Sequence, residues 1–184
     1  MKWIATLLIL TLVSCKEISF KEPQPKGKKA LKEVPAKIRG KYLISDDEGN
    51  PSKDTLIITK DGYRFGYYDP EQRMKEPKGD EALLSDSLVL KQYRGYYFVN
   101  LAEDPEWLLR VIKREENGDI SLLSMEPKDE SFNAYLRKLA TEIKIDSTEV
   151  NNEKLYQIDP TPKQLVDLVK KGYFSKSLMK KINK

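Results

Sequence analysis

The side chains that most often carry out catalysis are nearly missing from this sequence. It contains no histidine and a single cysteine, Cys15. Without histidine, the chain lacks the usual general base of serine and cysteine hydrolases and the main ligand of catalytic zinc. Neither glycine-rich phosphate-binding pattern, GxxxxGK[ST] or GxGxxG, occurs. We therefore predict a protein that is not an enzyme and that uses no metal and no cofactor.

Carboxylate pairs remain as a route to hydrolysis, because a glycosidase needs only two acidic side chains. The candidates are Asp46, Asp47, Glu48, Glu103, Asp104 and Glu106. Both stretches have the composition of solvated turns. The stretch from Asp46 also resembles the start of a calcium loop, but its twelfth position is Ile57, where such a loop needs glutamate. A carboxylate-based hydrolase is therefore the least favoured of the functions that we consider.

Cys15 follows a short export signal. Lys2 supplies a positive charge, residues 3–13 are mostly apolar, and the small Ser14 precedes the cysteine. A helix that spans a bilayer needs about 20 apolar residues, and this run is much shorter. We therefore predict a signal peptide at 1–14.

The residues Leu12-Val13-Ser14-Cys15 resemble the lipobox of bacterial lipoproteins. This resemblance implies that the Cys15 thiol carries a diacylglycerol, that the signal is removed before Cys15, and that its new amine is often acylated. Two or three acyl chains hold a protein firmly on a membrane. The predicted partner is therefore the membrane, through the lipid anchor at Cys15. In bacterial lipoproteins, an aspartate directly after the lipidated cysteine favours retention in the inner membrane. This chain has Lys16 at that position, so we predict an outer-membrane location that faces the periplasm or the cell surface.

Charge and composition limit the other partners and divide the chain. The sequence has 33 Lys and Arg residues against 29 Asp and Glu residues, a net charge of +4. Nucleic-acid binders concentrate basic charge far more heavily, so we predict no nucleic-acid partner. Residues 15–36 are rich in lysine and are interrupted by prolines, so we predict a lipidated N-terminus with a flexible tether. A single domain then occupies 37–184.

Seven runs of β-forming residues follow the predicted tether. They lie at 41–45, 54–60, 63–68, 87–92, 96–101, 107–113 and 119–125. In the sixth run, Trp107, Leu109 and Val111 alternate with Arg110, which indicates one apolar face. No helix long enough for a parallel crossover separates the runs, so they predict an antiparallel meander. Such a meander curls into a barrel or a strongly bent sheet, because this hides its edges.

The C-terminal part, about 129–184, has helical character. The patterns predict helices at 129–140 and 163–171, strands at 142–145 and 155–158, and one or two helical turns at 174–182. Gly172 has the position of a helix C-cap. The predicted fold is therefore mainly β (α+β), with two C-terminal helices.

The segments SLVLKQYRGYYFVNL and YQIDPTPKQLVDLVKKGYF resemble small uncharacterised lipoproteins of Bacteroidetes-type bacteria. The similarity runs from about residue 35 to the end. It implies a β-rich fold and a lipid-anchored place in the cell envelope, and it brings no catalytic residues with it. In outline the predicted domain is also similar to lipocalin-like proteins, although it has no lipocalin signature motif.

Aromatic side chains are the best candidates for ligand binding. Strand alternation places one pair, Phe65 with Tyr67 or Tyr96 with Phe98, inside the predicted barrel, where tyrosine hydroxyls can fix a ligand. Core packing explains the same residues.

The sequence leaves two functions open. The first is a non-enzymatic binding or accessory module that contacts an envelope protein, and the second is a lipocalin-like carrier of a small lipophilic ligand. An interior filled by Leu, Ile and Trp side chains argues against the carrier.

Overall fold

The protein is mainly β, as the computed structural model of the chain shows. It describes residues 17–45, 51–67, 81–127, 130–150 and 153–182. The strands are β1 (Ile18–Phe20), β2 (Gly40–Ser45), β3 (Pro51–Ile58), β4 (Gly62–Tyr67), β5 (Glu81–Leu83), β6 (Leu88–Tyr93), β7 (Tyr96–Glu103), β8 (Glu106–Arg114), β9 (Ile120–Ser124), β10 (Ile145–Val150), β11 (Glu153–Ile158) and β12 (Ser175–Lys181). The helices are α1 (Phe132–Ala140) and α2 (Pro162–Lys170), and a short 3-10 helix spans Ala36–Ile38. The predicted β-rich class with two C-terminal helices is confirmed.

The sheet contains two four-stranded antiparallel meanders that are joined by the last strand. β2 to β5 form one meander, β6 to β9 form the other, and β12 lies between β9 and β2. All seven predicted strands are present. The helical turns predicted at 174–182 are wrong, because β12 forms backbone ladders with β9 on one side and β2 on the other. Two such ladders outweigh a weak local helical pattern.

Residues 17–36, for which the sequence predicts a flexible tether, belong to the folded domain. β1 pairs in parallel with β11, where Ile18 lies opposite Tyr156, and in antiparallel with β8, where Phe20 lies opposite Trp107. Ile18 and Phe20 have no exposed surface. The parallel pair also makes the sheet mixed rather than purely antiparallel. The tether prediction fails because the lysine and proline content of the whole segment hides a three-residue strand with two apolar side chains, Ile18 and Phe20.

Buried polar side chains then hold the chain after β1. Asn100 Nδ2 donates to the Gln24 carbonyl oxygen at 2.8 Å, and Asn100 Oδ1 accepts from the Gln24 amide at 2.6 Å. Lys91 Nζ donates to the carbonyl oxygens of Pro23 at 2.6 Å and Pro25 at 3.2 Å. Because these groups are desolvated, each bond is costly to leave unmade. We call residues 22–34 the N-terminal strap.

The strap continues from one end of the sheet towards the other. Ala30 forms a bridge to β6, the Leu31 amide donates to the Leu90 carbonyl, and the Val34 amide donates to the Lys60 carbonyl just after β3. Within the described ranges β5 and β6 are not paired, so the sheet is not closed into a barrel. The strap is therefore a backbone link between β6 and the β2–β5 meander.

Side-chain alternation divides the apolar residues between two faces of the sheet. On β8, Leu109 and Val111 pack under the two helices, whereas Arg110 and Ile112 lie on the other face, as the alternation predicts. We call the buried cluster under the helices the helix-side core and the buried cluster on the other face the inner core. The helix-side core consists of Ile18, Phe20, Phe98, Leu109, Val111, Leu123, Met125, Tyr135, Leu139, Ile158, Leu165, Val166, Leu168, Val169, Tyr173 and Phe174. The inner core consists of Val34, Ile38, Tyr42, Leu56, Ile58, Leu90, Tyr97, Ile112, Ile120 and Met179.

The two helices cover the helix-side core. In α2, Thr161 and Gln164 form a reciprocal capping box and Pro162 occupies the first turn, so the sequence fixes where this helix begins. Gly172 ends it with a φ of 79°, a left-handed conformation that glycine adopts without strain. No helix within the described ranges is long and apolar enough to cross a membrane.

Candidate ligand cavity

A cavity of about 330 Å³ lies on the inner face of the sheet. Its walls are mainly aliphatic: Val34, Ile38, Leu56, Ile58, Gly62, Tyr63, Phe65, Leu84, Leu88, Leu90, Val99, Leu101, Glu103, Leu108, Arg110, Ile112 and Leu122. Strands from both meanders contribute, so the sheet must curve around this space. The volume falls at the lower end of the range of about 300 to 1,000 Å³ that ligand pockets occupy.

The residues of the cavity lining differ in exposure. Val34 and Ile38, from the strap and the 3-10 helix, are at most 4% exposed and belong to the buried part of the lining. Phe65 is 41% exposed, and Glu103 is also exposed. The Arg110 side chain is partly exposed, and its charge acts on the neighbouring Tyr63. We call Phe65, Glu103 and Arg110 the mouth of the cavity.

Arg110 carries the positive charge of the lining, and Glu17 neutralises it. The guanidinium donates to both carboxylate oxygens, with an Nη2–Oε2 distance of 3.0 Å and a second bond from Nη1 to Oε1. The Glu17 side chain is only 10% exposed. Burial raises the pKa of Glu17 above its usual value, Arg110 opposes this change, and the nearby Glu126 and Glu106 add to it. Since Arg110 already has a buried counterion, the lining formed by the described residues offers no unmatched cation to an anionic ligand.

Tyr63 supplies a phenol hydroxyl to the lining. Burial raises the pKa of this phenol, and the charge of Arg110 acts in the opposite direction. The group therefore stays protonated at neutral pH and can both donate and accept a hydrogen bond. Its ring meets the Phe65 ring edge to face, with centroids 5.4 Å apart. The cavity thus combines an apolar body with one neutral polar group.

The four aromatic residues predicted to bind a ligand occupy different places. Phe65 lines the mouth. Phe98 is fully buried in the helix-side core and Tyr96 packs against that core, on the face opposite the cavity. Tyr67 belongs to β4, and its side chain lies outside the described part of the chain. Aliphatic residues supply most of the lining, six of them from the inner core, and strand alternation is the signal that marks those on strands.

The other sequence candidates are carboxylates, and those that the structure describes lie at the β7–β8 hairpin. Glu103 and Glu106 lie opposite each other at the end of the β7–β8 hairpin. No cluster of three or more potential metal ligands occurs in the described ranges. Cys15, Asp46, Asp47 and Glu48 lie outside the described residues.

No protein family, curated protein or solved structure matches this chain in the comparisons that we made.

Proposed function

We propose that this protein is a lipid-anchored lipoprotein of the bacterial cell envelope that carries one small, uncharged, lipophilic ligand in its inner cavity. The observation that carries the proposal is an apolar cavity of about 330 Å³ whose positive charge is already paired. The barrel-like curvature predicted from the sequence is part of this proposal, because the sheet has to wrap around the ligand.

The cavity favours a carrier over an accessory module without a ligand. An interior packed solid with Leu and Ile side chains gives no space to a ligand, whereas this interior leaves space between the two meanders. Water gains few hydrogen bonds against aliphatic walls, so an apolar cavity of this kind favours an apolar occupant. Tyr63 and the paired Arg110 select for a ligand that carries no net charge.

The expected affinity follows from ligand size. Drug-sized ligands gain about 0.3 kcal/mol per heavy atom, so a ligand of about 20 heavy atoms gains roughly 6 kcal/mol. This free energy corresponds to a dissociation constant of tens of micromolar. Such binding is measurable with an apolar probe.

The ligand site is tested with N-phenyl-1-naphthylamine, an uncharged probe that brightens in apolar surroundings. We expect saturable binding to the chain that begins at Lys16. Leu108→Trp fills the cavity and should abolish this binding. Leu178→Trp makes the same change at an exposed position of β12 outside the lining, and it should leave the affinity unchanged. A wild-type chain that shows no saturable fluorescence contradicts the proposal, as does Leu108→Trp with wild-type affinity.

The anchor rests on the lipobox and on the lack of a second cysteine in the sequence. Cells that express the protein and are fed a palmitate analogue should label it, and Cys15→Ser should abolish the label. A labelled Cys15→Ser protein would show that the acyl chain is elsewhere. Fractionation of the labelled cells then tests the proposed outer-membrane location.

A further inference from the structure

The chain enters the folded domain at the mouth of the cavity. Glu17 is the first described residue, and both of its carboxylate oxygens accept hydrogen bonds from Arg110. Arg110 in turn lines the cavity. The beginning of the domain and the mouth are therefore joined by direct side-chain contact.

Little chain separates Glu17 from the predicted lipid. β1 begins at Ile18, whose amide donates to the Met125 carbonyl and whose side chain is fully buried. Cys15 precedes Glu17 by two residues, and consecutive Cα atoms are about 3.8 Å apart, so the two Cα atoms lie within about 7 Å. The long tether predicted from the sequence would have let the domain turn freely above the bilayer. A link of two residues does not allow this.

The side chains of the mouth suit a neutral lipid surface. Phe65 presents an exposed aromatic ring there. Glu103 adds a negative charge to a mouth in which Glu17 already neutralises Arg110, which disfavours a strongly anionic membrane surface. A zwitterionic surface, such as that of phosphatidylcholine, has no such penalty.

We propose that the cavity opens directly towards the bilayer that holds the anchor, so that the ligand enters from the lipid phase. This inference rests on the proposed function and on lipidation of Cys15. The contact of Glu17 with Arg110 fixes this orientation. The partner of the mouth is then the lipid surface itself, and the lipid on Cys15 sets both the location and the direction of uptake.

The test changes the distance between the anchor and the mouth. A flexible insert of about 20 Gly and Ser residues between Lys16 and Glu17 lengthens the link from two residues to about 22. The local concentration of the mouth at the bilayer surface falls roughly as the 3/2 power of that length, which is on the order of thirtyfold. The matched control carries the same insert after Lys184, where the anchor geometry is unchanged.

Full-length lipidated proteins are placed in phosphatidylcholine vesicles that contain a bilayer-bound quencher. Naphthylamine probe that moves from the bilayer into the cavity regains its fluorescence, and the rate of this recovery is measured. We expect the insert after Lys16 to slow recovery at least about tenfold, and the insert after Lys184 to leave it unchanged. Equal rates in the two inserted proteins would overturn the inference.

Two further measurements keep the outcomes distinct. Probe titration of the chains that begin at Lys16 should give equal affinity with and without the insert, and loss of binding by every chain would instead overturn the proposed function. Orientation is read independently from Phe65→Trp in a Trp107→Phe background, with brominated acyl chains in the vesicles. We expect the tryptophan emission of the lipidated protein to be quenched. Unquenched emission overturns the inference, and this result does not depend on whether the protein with the insert folds.

Discussion

Replacing Asn100 with alanine should detach the N-terminal strap from the sheet. The side chain of Asn100 accepts from the Gln24 amide and donates to the Gln24 carbonyl, and all four groups are buried. Asn100→Ala leaves both backbone groups of Gln24 without their partner. Each unsatisfied buried group costs about 1 to 3 kcal/mol. Water that reaches the two freed backbone groups lowers this cost in part. We therefore expect the free energy of unfolding to fall by about 3 kcal/mol.

A loss of that size is easily measured. For a chain of this length, 1 kcal/mol shifts the melting temperature by about 2 to 4 °C, so Asn100→Ala should melt about 6 to 12 °C lower. Trypsin should also cut the strap earlier, at Lys26 and Lys28. The control is Asn133→Ala on the exposed side of α1, where alanine changes stability by only about 0.5 kcal/mol. If Asn100→Ala melts within about 1 °C of the wild type and its strap resists trypsin equally, the strap does not depend on this contact.

Two other changes test the mouth and the edge of the sheet. The raised pKa of Glu17 means that the folded protein binds this carboxyl proton more tightly than the unfolded chain does. The stability that comes from this proton is therefore fully present below pH 4.5, and it is lost as the pH rises through the pKa of the folded state. Urea unfolding should therefore show the stability of the wild type falling relative to Glu17→Gln as the pH rises above 4.5, and a difference that is independent of pH contradicts this reasoning. Gly62→Ala places a methyl carbon 2.0 Å from the Ala82 carbonyl oxygen. This should cost about 1 to 3 kcal/mol by displacing β5, and wild-type stability in the same urea assay would show that β5 yields without cost.

Local patterns were sufficient for the elements that form hairpins. The seven predicted strands are present because alternation and turn residues such as Asn117-Gly118 act over a few positions. The pairing of β12 with β2 and β9 has no such local signal, since the ladders join residues that are far apart in the chain. The sequence does not predict β1 for the same reason. Its place beside β8 and β11 forms only when distant parts of the chain pack together.

The candidate site was predictable only in part. Phe65 was identified as a possible lining residue, and it is at the mouth. The alternation of β8 also separates Arg110 from Leu109 correctly. The sequence could not indicate that Glu17 neutralises Arg110, because the two residues are 93 positions apart and meet only after β1 docks. Long-range ion pairs of this kind depend on topology, which residue spacing does not encode.

The position of β1 between β8 and β11 also orders events in time. Ser19 and Tyr156 are hydrogen-bonded across 137 positions of sequence, and contacts of such long range slow folding. When the chain emerges N-terminus first, β1 appears before any strand beside which it can dock, and its partner β11 appears near the end. β1 can pair with β8 once that strand has emerged, but its pairing with β11 has to wait until almost the whole domain has emerged. The first strand to be synthesised is therefore among the last to have both of its neighbours.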